Sequence, residues 1–214
     1  MKKNIKIVAI LLLLPFYIFA GSNVSISPIS LEIKQRMLQG NSWRVGCPVG
    51  LGDLRYLRVR YRDFRAVSRR GELIVHKDVA KEVVEIFESL YVLGYPIYKM
   101  RLVSVYKGND WQSIEADNTS AFNCRNATGS KKWSKHSYGK AIDLNPIENP
   151  YISRKGHISH KASLKYKKRV HTKSSPANKA VLRKDDKVVK IFKSHGWKWG
   201  GDWSTIKDYQ HFSK

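Results

Sequence analysis

The sequence predicts an α+β fold, a small antiparallel sheet flanked by helices. Three observations carry this. Leu57, Val59 and Tyr61 alternate with Arg58, Arg60 and Arg62, the period-two pattern of a strand with one wet, basic face. Val79, Val83, Ile86, Phe87 and Leu90 fall at helical spacing. The other strand candidates are short and the helices isolated, unlike the regular alternation of a doubly wound sheet. The chain has 214 residues, enough for one domain with a real core and too few for two large ones.

The elements follow in order. Lys2, Lys3 and Lys6 precede an uncharged apolar run over 7–20, and Ala20-Gly21-Ser22 supplies small residues for cleavage. Residues 1–22 therefore read as a signal peptide. The run is shorter than the roughly 20 residues of a membrane span, so the mature form is expected to be exported, periplasmic or secreted, with no transmembrane segment. No Cys follows the run, so no lipid anchor is indicated. Residues 23–50 read as a leader with a short helix over 31–38, and 51–214 as the main domain. After the first strand, a turn at Arg70-Gly71 leads to a second strand at Leu73-Ile74-Val75. The next helix takes Asp78 as N-cap and stops at Gly94, with Pro96 beyond. A strand is expected over 97–106, a polar loop over 117–134, and a strand over 138–144 stopped by Pro146. Residues 151–180, rich in Lys, Ser and His, read as an exposed basic insertion. Its His157, His160 and His171 read as solvated. Asp185 or Asp186 caps a helix through Phe192 that stops at Gly196, and 209–212 is the last strand.

The formal net charge is +23, and removing the leader's three lysines leaves about +20. Such a surface seeks polyanions: nucleic acid, anionic lipid or acidic envelope polymers. The export signal favours anionic cell-envelope polymers, and the basic residues form no motif for specific nucleic-acid recognition. Export also makes the two cysteines informative. Cys47 and Cys124 can pair in only one way, and an oxidising compartment permits a disulfide; two buried thiols are the alternative.

The chemistry concentrates in Ser134-Lys135-His136-Ser137-Tyr138-Gly139-Lys140-Ala141-Ile142-Asp143 and in Asp208-Tyr209-Gln210-His211. Two imidazoles and two carboxylates are the inventory of a catalytic zinc site: three protein ligands, an open position and a nearby base. His136 and Asp143 lie at an odd offset, which a continuous strand would put on opposite faces. They converge only if the chain turns between them, and Gly139 permits that. His136, Asp143 and His211 are the expected Zn2+ ligands and Asp208 the proton carrier. Asp208 could instead orient a ligand His, and Asp202 is the rival base.

Ser134-x-His136-x-x-Gly139-x-Ala141-x-Asp143 resembles the SxHxxGxAxD motif of the VanY-type zinc peptidases, which include D-Ala-D-Ala carboxypeptidases and L-Ala-D-Glu endopeptidases. Asp208-x-x-His211 is similar to their second motif. Trp199-Gly200-Gly201-Asp202-Trp203 resembles the segment before it in the endopeptidase branch. The resemblance implies the Hedgehog/DD-peptidase fold, His136, Asp143 and His211 as metal ligands, and Asp208 as acid/base. It also implies an upstream Arg steadying the oxyanion or the substrate. Arg125 is the candidate, although its gap to His136 is shorter than usual and Asn123-Cys124 interrupts the usual arrangement. Ser134 contacts substrate or caps a turn; Trp197, Trp199 and Trp203 floor the cleft or fill the core.

The expected function is hydrolysis of a bond in peptidoglycan stem peptides by a monomeric zinc peptidase, either D,D-carboxypeptidase or L-Ala-D-Glu endopeptidase. The rival from another class is a non-catalytic, zinc-containing envelope-binding module, and a secreted basic nucleic-acid binder is a second.

Overall fold

The computed structural model describes residues 24–170 and 174–214. The predicted signal peptide therefore lies outside the described residues, as does His171. Strand β1 (Ser25–Pro28) leads into helix α1 (Leu31–Gln39), where Ser30 Oγ accepts the Ile33 amide as N-cap. Strands β2 (Leu54–Arg62) and β3 (Ser68–His76) form a long antiparallel hairpin, and β1 adds to the β2 edge. Leu57, Val59 and Tyr61 point to the core as the alternation requires.

The hairpin turn is not at Arg70-Gly71. It lies over 63–67, where Asp63 Oδ1 accepts the amides of Arg65 and Val67. Gly71 sits inside β3 opposite Val59, and a Cβ there would come within 2.2 Å of Met100 Sδ. The glycine serves close packing rather than a turn.

Helix α2 (Ala80–Leu93) packs its buried Val83, Ile86, Phe87 and Leu90 on the core face of this sheet and ends at Gly94 in the left-handed conformation. Asp78 does not cap it. A 3-10 turn over Lys77–Val79 comes first, capped by His76 Nδ1, and Asp78 bonds Lys140 instead. The strand expected over 97–106 shrinks to β4 (Lys99–Met100), paired in parallel with β5 (Asn118–Thr119). The Asn118 side chain takes both the amide and the carbonyl of Arg101 and so replaces the ladder beyond Met100. A 3-10 turn (Val103–Tyr106) and helix α3 (Asp110–Glu115) fill the interval.

The supposed loop over 117–134 is anchored. Ala121, Phe122 and Cys124 are buried, Phe122 N–H bonds Ile74 O, and Cys124 N–H bonds Ser42 O. Cys47 and Cys124 form a disulfide, with Cα atoms 5.9 Å apart. It joins a second small core containing Ile33, Met37, Leu54 and Leu102.

Strand β6 (Ala141–Asp143) follows, then β7 (Tyr151–Ile152), α4 (Pro176–Lys179), α5 (Lys187–Ser194), β8 (Lys198–Trp199), β9 (Lys207–Asp208) and β10 (His211–Ser213). The last strand runs antiparallel between β6 and β8. Phe192 of α5 stacks on Phe212, and Trp197 and Trp199 close the main core. The segment over 151–180 is not simply an exposed insertion. Lys155, Lys161, Lys165 and Lys168 are exposed, but Ile158, Ser163 and Tyr166 are buried. Arg169 is tied to Glu148 O, Asn149 Oδ1 and Leu182 O. Among the described residues no helix is long and apolar enough to cross a membrane.

Candidate metal centre

The site begins with a turn. Residues Lys135–Tyr138 form a 3-10 segment capped by Ser134, whose Oγ accepts the His136 amide, and Gly139 ends it at φ 65°. A Cβ on Gly139 would lie 2.5 Å from the His76 amide nitrogen, so glycine is required by both conformation and space. The turn brings His136 back over β6. Asp143 on β6 stands directly opposite His211 on β10 in the antiparallel register, where facing side chains meet.

His136, Asp143 and His211 are all buried and converge, with one ligand atom from each lying within 4.8 Å of the others. His136 Nε2 is 3.1 Å from Asp143 Oδ2 and 3.3 Å from His211 Nδ1, and His211 Nδ1 is 3.0 Å from Asp143 Oδ1. His136 Nδ1 lies 2.5 Å from Ala121 O. Donation to that carbonyl fixes the tautomer and turns the Nε2 lone pair towards the cluster. Two imidazole nitrogens and a carboxylate oxygen facing one point fit a divalent metal by donor type and number. Burial pushes the Asp143 carboxyl up, but His136 and His211 outweigh it and hold the group well below the usual range. Burial likewise opposes charge on His211, but the hydrogen bond to Asp143 together with the Asp143 and Asp208 charges outweighs it and raises its pKa.

The cluster opens into a cavity of about 640 Å³. Asp208, on β9, lines it. Burial, reinforced by the Asp143 charge, pushes its carboxyl up to about 6. Its Oδ1 is buried with no hydrogen-bond partner. Gly200 lets this strand approach: a Cβ there would sit 2.5 Å from Asp208 O. That close approach gives the Trp-Gly-Gly-Asp-Trp run a structural purpose. Asp202 is outside the cavity and pairs with Lys193 Nζ at 2.6 Å. The three tryptophans divide. Trp197 and Trp199 are core, while Trp203 lines the cavity with its ring 5.5 Å from that of His211.

Arg125 also lines the cavity. Its guanidinium bonds Asp110 Oδ2 at 2.9 Å and Asn126 O at 3.1 Å, and its Nε is buried without a partner. Ser137 Oγ accepts the Arg125 amide and lies 2.6 Å from Arg125 O, which locks this segment to the His136 turn. Ser134 caps the turn and also lines the cavity.

Residues 128–214 match a family model described as D-alanyl-D-alanine carboxypeptidase. The peptidase match spans both motifs, hence His136, Asp143, Asp208 and His211, and begins just after Arg125. It agrees with the resemblance read from the motifs. No solved structure matches the chain.

Sequence reasoning missed several cavity residues: Asp110 against Arg125, Gln210 beside Asp208, and Trp111 with His160. Gln210 was within reach, because it lies between Asp208 and His211 in the motif. Nothing in the local sequence marks the others, which meet only through the fold.

Proposed function

We propose that the protein is an exported zinc peptidase that hydrolyses a bond in peptidoglycan stem peptides. The observation that carries this reading is the buried meeting of His136, Asp143 and His211 on the wall of a cavity, with Asp208 beside them. In the proposal His136, Asp143 and His211 hold Zn2+. Such an ion supplies Lewis acidity towards a scissile carbonyl and a water molecule.

The chain's own residues do the rest. Asp208 accepts the proton of the attacking water on a carboxylate oxygen and delivers it to the leaving amine. Burial raises its proton affinity above that of a solvated carboxylate, which suits a group that holds the proton between the two halves of the transfer. Arg125 steadies the developing oxyanion or a substrate carboxylate, since a guanidinium stays charged and offers forked donors. Ser134 holds the His136 turn and borders the substrate. Between the two specificities, Asp208 and the Trp-Gly-Gly-Asp-Trp run lean towards the L-Ala-D-Glu endopeptidase branch. The proposal includes cleavage after the 1–22 leader, a monomer of segment 23–50 and domain 51–214, and retention on anionic envelope polymers through its positive charge.

Metal analysis of the purified mature chain and mass spectrometry of muropeptide digests test this. The expected result is about one zinc per chain, absent from His211→Ala, and cleavage at one kind of peptide bond, with one new carboxyl and one new amino terminus. Stoichiometric zinc in His211→Ala refutes the ligand set. Intact muropeptides after incubation with the zinc-loaded protein refute the peptidase.

A further inference from the structure

We propose that Trp111, His160 and Glu115 form a saccharide-binding subsite that takes a pyranose ring still attached to the peptide substrate. This inference rests on the peptidase reading above and adds to it which substrates are preferred.

Trp111, on α3, lines the same cavity as the metal cluster, yet it is 52% exposed and belongs to none of the hydrophobic cores. An indole half in water contributes little to folding. The fold nevertheless holds it firmly. The His160 imidazole, from the 151–180 segment, lies against one face with ring centroids 4.0 Å apart and planes 33° apart. Glu115 Oε1 fixes His160 Nδ1 at 2.5 Å. Two segments 45 residues apart thus spend a carboxylate and an imidazole on orienting one exposed aromatic ring. Fixing the ring in advance removes an ordering cost that a ligand would otherwise meet.

The chemistry of this arm selects the ligand. The open face of the indole is flat and apolar, and Ile114 and Ile158 border the same space. Its polar neighbours in the cavity include Ser159, Asp110 (paired with Arg125) and His160 (paired with Glu115). A purely apolar group would use the indole face alone and none of these polar groups. A pyranose presents a flat C–H face for the indole and a rim of hydroxyls, both donors and acceptors, for the polar groups beside it. Because the arm is continuous with the cavity holding His136 and Asp208, a ring bound there belongs to the molecule whose peptide reaches the metal cluster.

The test uses the zinc-loaded mature chain and two substrates: a stem peptide, and the same peptide carrying its disaccharide. The sugar-bearing peptide should show a KM lower by roughly tenfold, the scale of a truncated aromatic hot spot. Trp111→Ala should erase that ratio while leaving kcat/KM for the bare peptide unchanged, and Trp111→Phe should keep most of it. An unchanged ratio in Trp111→Ala, or an equal loss on both peptides, overturns the subsite. If the wild type cleaves neither peptide, the peptidase reading fails separately. The subsite is then judged by titrating the disaccharide alone against the Trp111 indole N–H resonance, identified by its loss in Trp111→Phe. A saturable shift supports it, and no shift at millimolar disaccharide overturns it.

Discussion

Removing the disulfide should cost stability and leave turnover almost intact. The perturbation is Cys47→Ala with Cys124→Ala. The bridge spans 77 residues, and constraint of the unfolded chain over such a loop is worth about 4.5 kcal/mol in the chain-entropy estimate. At 2–4 °C per kcal/mol for a domain of this size, melting should fall by roughly 9–18 °C. The catalytic consequence follows from how the segment is otherwise held. Cys124 N–H bonds Ser42 O, Arg44 Nη1 bonds Cys124 O at 2.8 Å, and the Arg125 backbone is tied to Ser137 Oγ. Phe122 remains buried beneath. None of these contacts needs the S–S bond, so Arg125 keeps its place in the folded variant. The assay is thermal unfolding by circular dichroism, paired with muropeptide turnover at a temperature where both proteins are folded. A fall under about 3 °C refutes the unfolded-state account. Loss of turnover in the folded variant refutes the claim that packing and hydrogen bonds position Arg125.

Three further outcomes are expected. Asp208→Asn should keep its zinc and lose on the order of 10²–10⁴-fold in kcat; wild-type turnover would move the proton transfer elsewhere, and lost zinc would make Asp208 a support for the ligands. Asp110→Asn releases a partly exposed partner of Arg125, so stability should change by under about 0.5 kcal/mol while KM rises more than kcat falls; unchanged kinetics would show that Arg125 is held without it. Glu148 is pushed up to about 9 by burial and by the nearby Asp117, so the folded chain binds more protons than the unfolded one between about pH 4.5 and 9. Stability should therefore fall as pH rises through that window, and Glu148→Gln should flatten the slope in denaturant titrations at pH 5, 7 and 9, a slope unaffected by the substitution being the contrary result.

The sequence made the chemistry more legible than the fold around it. His136, Gly139 and Asp143 could be read because their roles depend on a local event: a turn that reverses an odd offset. His211 could be read because it follows the Asp208 carboxylate by three residues, and the strand register then sets it opposite Asp143. Gly71 misled because glycine marks turns and close packing alike, and only Met100 distinguishes the two. The strand over 97–106 failed because apolar residues say nothing about whether a partner strand exists, and Asn118 ends the pairing with its side chain. Residues over 117–134 looked loose because their apolar members are scattered, with Ala121 entering the main core and Phe122 the second one, each assembled from distant segments.

The metal cluster is built from one turn and one strand pair, so two short motifs describe it almost completely. Its outer walls are not encoded that way. Asp110 reaches Arg125 across 15 residues and His160 reaches Trp111 across 49, each contact set by tertiary packing. The family match begins at residue 128 and so covers His136, Asp143 and His211 but neither Arg125 nor α3. In the proposed reading the metal ligands come from the two motifs, and the saccharide contact comes from α3 and the 151–180 segment. Substitutions in α3 should redistribute turnover among substrates, whereas substitutions in the two motifs should abolish it for all of them.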